Sequence, residues 1–184
     1  MKEIRIHGRG GQGAVTAAEL LAHAAFAEER WAQSFAFFGA ERRGAPVEAF
    51  VRIAGEPQPI RSRVHQPDYL IIFDSKLEEV VDVTKGLKKG GIVVINTTKK
   101  NEEVGFKGYR VATVDATGIS LELGLLVAGI PVLNSTMLGA FAKATNEVKL
   151  ESVMETIRER WPGPVGEKNA VAASKAYEQL MKGW

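Results

Sequence analysis

A glycine-rich segment near the start of the sequence has the clearest potential for binding chemistry. It reads Gly8-Arg9-Gly10-Gly11-Gln12-Gly13, after the apolar opening Ile4 to His7 and before an alanine-rich run over residues 14–27. A glycine turn between a strand and a helix leaves backbone N–H groups free where the helix dipole is positive. The segment therefore predicts an anion site, of the kind that binds phosphate.

The spacing of Gly8, Gly10 and Gly13 also fits the dinucleotide fingerprint G-x-G-x-x-G. That fingerprint requires an acidic residue about 20 positions further on, to bind the ribose. The sequence has Gln33-Ser34-Phe35-Ala36 there, and Glu28 and Glu29 come too early. The pattern thus argues against a nicotinamide site, and a purely conformational role for the glycines stays open.

Arg42 and Arg43 form a second candidate site. They lie between glycines and follow three phenylalanines, at positions 35, 37 and 38. The arginine side chain presents a planar fork that suits phosphate or carboxylate, and aromatic residues beside arginine are typical of interface centres. We expect a partner chain to cover these phenylalanines, because they would otherwise expose a large apolar surface.

No catalytic group stands out from the pattern of polar residues. The three histidines lie in dissimilar contexts, and no cluster of His, Asp and Glu has metal-ligand spacing, so neither a catalytic residue nor a metal site is predicted. Asp74 and Asp115 follow apolar runs and are interpreted as caps or turn residues. Cysteine is absent, which excludes a thiolate-ligated cluster or a thiol nucleophile in this chain.

The apolar pattern predicts the elements that position these residues. Strands are predicted where apolar residues alternate or form short runs, at residues 4–7, 31–38, 47–53, 60–64, 69–73, 92–95 and 109–114. Helices are predicted over 14–27, from Ser75 until Gly90-Gly91, in a leucine-rich stretch ending at Gly129, after a cap at Asn134 or Ser135, over 150–157 and over 167–181. This order predicts one α/β module over residues 1–184: three-layer and Rossmann-like, with a mostly parallel sheet, a small antiparallel insertion and helices on both faces.

Charge and hydropathy limit the partners. The 184 residues carry 24 basic and 22 acidic side chains, a net charge of +2, so no nucleic-acid partner is predicted. No apolar run approaches the roughly 20 residues of a membrane span, and no leader pattern precedes the first strand. A cytoplasmic protein with no membrane partner is expected.

Three blocks of the sequence carry a family resemblance. They are H-G-R-G-G-Q-G-A-V-T-A-A at 7–18, F-F-G-A-E-R-R-G-A-P-V at 37–47 and P-V-L-N-S-T-M-L-G-A at 131–140. Together they resemble the gamma subunit of pyruvate or 2-oxoisovalerate ferredoxin oxidoreductases, over almost the whole chain. Ala36 departs from the proline that many relatives carry before the aromatic pair.

The resemblance implies a complex that converts a 2-oxoacid, pyruvate or a branched one, with coenzyme A and oxidised ferredoxin into acyl-coenzyme A, CO₂ and reduced ferredoxin. It implies alpha, beta and ferredoxin-like delta subunits as partners and ferredoxin as the electron acceptor. Thiamine diphosphate, Mg²⁺ and iron-sulfur clusters are expected in those partners, and no cofactor in this chain alone.

Carried over by matching motif, the resemblance implies a site for coenzyme A phosphates and for the contact with the alpha subunit. Its residues are Gly10, Gly11, Gln12, Gly13, Arg42, Arg43, Asn134, Ser135 and Thr136. Their role would be positioning and not bond-making. Two alternatives remain open: a stand-alone nucleotide-binding oxidoreductase, and a structural subunit without a ligand.

Overall fold

The structure is a computed structural model that describes residues 1–37, 44–58, 60 and 62–184. The strands in this part of the chain are β1 Lys2–Arg9, β2 Trp31–Phe37, β3 Pro46–Ala54, β4 Tyr69–Ile72, β5 Ile92–Asn96, β6 Arg110–Val114, β7 Leu126–Val127, β8 Ile130–Pro131 and β9 Met181–Lys182. The α-helices are α1 Ala14–Ala27, α2 Ala116–Glu122, α3 Asn134–Thr145, α4 Leu150–Arg160 and α5 Pro164–Gln179. Two 3-10 helices cover Ser75–Glu79 and Asn101–Glu103.

The main sheet has the strand order β2-β3-β1-β4-β5-β6-β9. The strands β1, β4, β5 and β6 pair in parallel. Strand β3 lies antiparallel between β1 and β2, so β2 runs in the same direction as β1. The short β9 pairs antiparallel with β6. The carboxyl ends of β1, β2, β4, β5 and β6 therefore meet at one edge of the sheet.

The α-helices pack on one face of this sheet. Ile6, Ile71 and Val94 are neighbours in the strand register and point into this core. The alanines of α1 keep that helix close to the strands, and eight of its residues are buried. Gly139 of α3 allows an equally close contact with α5, because a Cβ atom at that position would lie 1.9 Å from the carbonyl oxygen of Ala173.

The opposite face is covered by the first 3-10 helix and by turns. Leu70 and Ile72 of β4 pack there with Val93 and Ile95 of β5, against Leu77 of the 3-10 helix. Both faces of β4 and β5 are thus covered, which explains why the sequence shows these strands as continuous apolar runs.

The antiparallel end of that second face is polar and buried. Arg52 is 1% exposed, and its guanidinium donates to the carbonyl oxygens of Ile60 and Ser62 and to a carboxylate oxygen of Glu3. Because these two carbonyl groups accept from Arg52, they are not paired with a neighbouring strand. Residues 60 and 62–64 form no strand. The predicted strand over 60–64 is therefore wrong for the residues that the structure describes.

Two predicted helices are shorter than expected. The helix starting at Ser75 ends at Glu79 as a 3-10 helix, and the chain beyond it turns so that the carbonyl groups of Val83 and Lys85 accept from Arg5. The leucine-rich helix ends at Glu122. Its continuation is the β7–β8 hairpin, which the expected helix did not include.

The fold class is confirmed by the sheet and its layers. The sheet is mostly parallel, the antiparallel insertion is β3, and helical segments cover both faces, as α-helices on one side and a 3-10 helix on the other. This arrangement places the glycine-rich segment at the carboxyl end of β1, at the centre of the sheet.

Candidate functional site

The glycine-rich segment is a turn between β1 and α1. Gly11 and Gly13 have positive φ angles of 97° and 89°, a region that other residues rarely adopt. Gly8 allows close packing, because a Cβ atom there would lie 3.0 Å from the Cβ atom of Ala14. Gly11 and Gly13 thus suit the backbone of the turn, and Gly8 lets the start of α1 approach the sheet edge.

Gln12 holds the turn in shape. Its Oε1 atom accepts from the backbone N–H of Arg9 at 2.7 Å, and its own N–H donates to the carbonyl of Arg9 at 3.0 Å. The carbonyl oxygen of Gln12 accepts from the N–H of Leu133, at the start of α3. The turn therefore joins the amino-terminal ends of α1 and α3.

A cavity of about 520 Å³ opens over this turn. It is lined by Arg9, Gly10, Gly11, Gly13, Ala14, Val15, Thr16, Val47, Val127, Val132, Asn134, Arg160 and Trp161. Gly13 is the N-cap of α1 and supplies no side-chain hydrogen bond to the helix. Because the first N–H groups of a helix have no partner within it, the start of α1 presents donors to this cavity. We call it the glycine-loop cavity.

Asn134 adds a side-chain donor to the glycine-loop cavity. It is 3% exposed, and its Oδ1 atom accepts from the N–H of Ser135 at 2.7 Å, which orients the amide. The Nδ2 atom lies 3.2 Å from where a Cβ atom of Gly13 would be, and Asn134 is one of the residues that line the cavity. An amide N–H₂ group at the wall of a cavity can donate to an oxygen atom of a ligand.

Ser135 and Thr136 lie behind Asn134 and are fully buried. The Ser135 hydroxyl is 3.0 Å from Oδ1 of Asn169, and the Thr136 hydroxyl is 3.2 Å from that of Ser120. In the described chain their hydroxyl groups position α3 and do not face the cavity. The predicted cap is also displaced: α3 begins at Asn134, and its N-cap residue is Leu133.

Arg42 and Arg43, the other predicted anion contacts, lie outside the described residues. The backbone of Gly44 and Ala45, directly after them, exchanges hydrogen bonds with Gly10.

Arg160 and Trp161, which the sequence interpretation missed, line the same cavity from the end of α4. The Arg160 guanidinium lies 5.6 Å from the centre of the Trp161 ring. They stand about 150 positions from the glycine segment in the sequence, and no local pattern marks them. With Arg9, the cavity therefore has two arginines within the described chain.

A second cavity, of about 610 Å³, lies over the carboxyl ends of β4, β5 and β6. Its polar groups bond one another: Asn96 donates to the carbonyl of Phe73 and accepts from the N–H of Thr117. Asp115 accepts from the N–H of Gly118, and Asp74 from that of Lys76. The interpretation of both aspartates as caps is confirmed.

His7, at the end of β1, is buried and neutral. Burial, followed by the charge of Arg5, lowers the pKa of His7 to about 3. Its Nε2 atom accepts from Nε of Arg5 at 2.9 Å, so this histidine fixes an arginine in the fold. Among the described residues, no three His, Asp or Glu side chains come together as metal ligands.

The sheet order also bears on the dinucleotide alternative. In a dinucleotide fold the ribose acid stands at the end of the strand next to β1. Here the insertion of β3 displaces β2 by one strand spacing, roughly 4.8 Å, and β2 ends at Phe37. Neither the position nor the residue suits a ribose.

The described helices include none that is both long and apolar enough to span a membrane.

Comparison with known proteins gives matches over nearly the whole chain. The "Pyruvate/ketoisovalerate oxidoreductases common subunit gamma" of Thermococcus kodakarensis is 54% identical, with 98% of each chain covered. The "Pyruvate synthase subunit PorC" of Methanocaldococcus jannaschii is 52% identical, over 99% of this chain and 98% of that protein. The crystal structure of pyruvate oxidoreductase subunit PORC from Thermotoga maritima superimposes with a TM-score of 0.86 at 32% identity, over 100% of this chain and 98% of that one.

Residues 3–179 match the family described as pyruvate ferredoxin/flavodoxin oxidoreductase, which confirms the resemblance seen in the three sequence blocks. The chain therefore belongs to the pyruvate ferredoxin/flavodoxin oxidoreductase family and corresponds over its whole length to the gamma subunits of that family.

Proposed function

We propose that this chain is the gamma subunit of a 2-oxoacid:ferredoxin oxidoreductase. The assembled enzyme decarboxylates pyruvate or a branched 2-oxoacid and transfers the acyl group to coenzyme A, with reduction of ferredoxin. Support comes from relatives of equal length that are named as a subunit common to pyruvate and ketoisovalerate oxidoreductases, or as a pyruvate synthase subunit. Residues 1–184 act as one module of this cytoplasmic assembly.

The redox chemistry of the complex belongs to its other subunits. The chain has no cysteine with which to ligate an iron-sulfur cluster. The described residues contain no cluster of His, Asp and Glu suited to a metal ion. Following the family resemblance, we assign thiamine diphosphate, Mg²⁺ and the clusters to alpha, beta and delta subunits, with ferredoxin as the electron acceptor of the assembly.

The role of this chain is to position coenzyme A and to form part of the subunit interface. One observation carries this assignment: Asn134 lines the glycine-loop cavity beside the start of α1, so a side-chain amide and the free backbone N–H groups of the helix border the same space. Phosphate oxygens are the acceptors that helix N-termini and arginines bind best. Gly10, Gly11 and Gly13 supply the backbone, while Gln12, Ser135 and Thr136 hold the shape. Arg42 and Arg43 are proposed to face the coenzyme A phosphates and the alpha subunit.

Asn134→Asp tests the ligand role in the assembled complex. The substitution keeps the shape and the acceptor for Ser135, but it replaces the amide donor by a carboxylate oxygen. We expect the dissociation constant of coenzyme A to rise by about tenfold or more, the effect of losing a hydrogen bond to a charged group. Gln179→Glu introduces the same charge at an exposed position remote from the cavity, and serves as the control.

Arg42→Ala with Arg43→Ala tests the other half of the assignment. We expect weaker coenzyme A binding in complexes that still assemble. Unchanged affinity in both Asn134→Asp and the double arginine variant, with intact assembly, would instead identify a structural subunit without a ligand. Purification of the chain from its native source shows whether the expected partners are bound, and recovery only as a lone monomer would contradict the subunit assignment.

A further inference from the structure

A third cavity adjoins the glycine-loop cavity. It has a volume of about 280 Å³ and lies between the β7–β8 hairpin and the first turns of α5. The two cavities share Val127, Val132, Asn134 and Trp161 as lining residues. They therefore lie side by side along these residues, and we call the two together the trough, with Asn134 at their junction.

The two ends of this trough differ in chemistry. The glycine-loop end has Arg9, Arg160 and the N–H groups at the start of α1. The hairpin end is lined mainly by apolar groups, namely Leu125, Leu126, Val127, Val132, Trp161 and Val165, with Lys168 and Asn169 beside them. A ligand that fills both ends must therefore carry negative charge at one end and an uncharged chain at the other.

The hairpin end exposes apolar side chains that a ligand would cover. Val127 is 64% exposed, Leu126 is 46% exposed and Val165 is 56% exposed. Two hydrogen bonds fix the ends of the hairpin. The N–H of Val132 donates to the carbonyl of Leu125, and the Ser120 hydroxyl of α2 donates to the carbonyl of Val132. Exposed apolar groups beside a preformed cavity are typical of ligand-binding grooves.

From this geometry, and on the basis of the proposed function, we propose that the whole trough is the coenzyme A site, with Arg160 as a phosphate contact and the hairpin end as the channel for the pantetheine arm. Coenzyme A combines phosphate groups with a long uncharged arm, which is the combination that the two ends require. The phosphates lie at the start of α1, Asn134 bonds an oxygen atom at the junction, and the arm passes between Val127 and Val165.

The cavity over β4, β5 and β6 does not serve the same ligand. Its walls include the Asp115 carboxylate, which repels phosphate, while Asp74 is paired with Arg9. The amide of Asn96 in that cavity is bonded to Phe73 and Thr117. The Asn134 amide lines the trough and not that cavity. The trough is thus the better match for an anion with an apolar arm.

Two variants separate the two ends of the trough in the assembled complex. Arg160→Gln removes a charge at the phosphate end, and Val165→Trp fills the hairpin end without adding charge. The probes are coenzyme A and adenosine 3′,5′-bisphosphate, which has phosphates but no pantetheine arm. Their dissociation constants are measured by direct titration and by competition.

We expect Arg160→Gln to raise the dissociation constants of both probes by about tenfold, since one charged hydrogen bond is lost. We expect Val165→Trp to raise that of coenzyme A by a similar factor, about tenfold, and to leave that of the bisphosphate unchanged. Val165→Ala, which leaves the channel open, should bind coenzyme A nearly as well as the wild type.

Matched controls exist for both variants. Arg158 lies on α4 two positions before Arg160, pairs with Glu167 and lines neither cavity, so Arg158→Gln should leave both affinities unchanged. Val171 is an exposed valine of α5 outside the trough, so Val171→Trp tests for a general effect of the added ring.

The outcomes distinguish this inference from the proposed function. If Asn134→Asp weakens coenzyme A binding while Arg160→Gln and Val165→Trp do not, the phosphate role stands and the trough assignment is wrong. If Val165→Trp weakens both probes equally, the hairpin end is not the channel for the arm. If neither these three variants nor the double arginine variant changes either affinity in intact complexes, the proposed coenzyme A role itself is contradicted.

Discussion

Arg9 donates from Nε to Oδ2 of Asp74 at 2.5 Å, and this ion pair joins the carboxyl ends of the adjacent parallel strands β1 and β4. After β1 the chain continues to β2, on one side of β1 and β4 in the strand order, and after β4 it continues to β5, on the other side. The crevice at such a switch point is where open α/β sheets usually bind ligands. Here the ion pair occupies it, and the cavities on its two sides are lined by Arg9 and by Asp74 respectively.

The ion pair should make a small, measurable contribution to stability. The Arg9 and Asp74 side chains are 29% and 20% exposed, so solvent screens the pair and a coupling free energy of about 0.5–1 kcal/mol is expected. Asp74→Asn keeps an acceptor for the N–H of Lys76 while removing the charge. A double-mutant cycle with Arg9→Gln, measured by urea unfolding of the isolated chain, gives the coupling. Additive effects of the two substitutions would show that the pair contributes no stability.

Gly13→Ala should affect stability and ligand binding together. The φ angle of 89° costs a residue with a Cβ atom about 1–2 kcal/mol, and that atom would lie 3.2 Å from the Asn134 amide. We expect a lower free energy of unfolding and, in the complex, weaker binding of coenzyme A. Gly108→Ala is the control, because its φ angle is 85° but its Cβ atom would meet nothing within 4 Å. Equal effects of the two substitutions on coenzyme A affinity would contradict a role for the Gly13–Asn134 contact.

The sequence was sufficient to predict the strands of the sheet and the turn at its centre. Buried parallel strands such as β4 and β5 are continuous apolar runs. Helix α1 follows a turn whose positive φ angles are occupied by glycines, so the turn is visible in the sequence. These signals are local, since each depends on neighbours within a few positions.

The errors have long-range causes. The segment after Glu79 has helical spacing, but the carbonyl groups of Val83 and Lys85 accept from Arg5, whose position 80 residues earlier gives no local signal. The strand expected at 60–64 has a similar cause of error, because the carbonyl groups of Ile60 and Ser62 accept from the side chain of Arg52.

The candidate site was predicted only in its local part. The glycine turn and Asn134 were found from motifs, yet Arg160 and Trp161 reach the cavity only because α4 packs beside α1. Ser135 and Thr136 belong to the same motif as Asn134, but the helix they begin turns their hydroxyl groups inward. Which side chains of a motif face a cavity is decided by tertiary packing.

Gly139→Ala should destabilise the chain strongly. Alanine normally stabilises a helix relative to glycine by roughly 0.5–1 kcal/mol, but here its Cβ atom would lie 1.9 Å from the Ala173 carbonyl oxygen. Helices α3 and α5 would have to separate, and we expect a loss of about 3 kcal/mol or more. Thermal or urea unfolding measures this, with Gly105→Ala, which has open space for a Cβ atom, as the control. A Gly139→Ala protein as stable as the wild type would contradict the close contact between these helices.

The buried His7 should make stability depend on pH. Burial lowers the pKa of His7 to about 3 in the folded chain, whereas an unfolded histidine titrates near 6.5. Below pH 6.5 the unfolded state therefore binds a proton that the folded state does not. The free energy of unfolding is therefore not reduced by His7 above pH 6.5. It falls by up to about 1.4 kcal/mol per pH unit as the pH decreases from 6.5 toward 3.

His7→Gln tests this dependence, because glutamine retains an acceptor for Arg5 and does not titrate. Urea unfolding of the isolated chain at pH 7.5 and pH 5 should show the wild type losing about 2 kcal/mol more than the variant. His23→Gln, which removes an exposed imidazole on α1, is the control and should keep the wild-type pH dependence. If the wild type and His7→Gln lose the same stability over this interval, His7 is not held neutral by its burial.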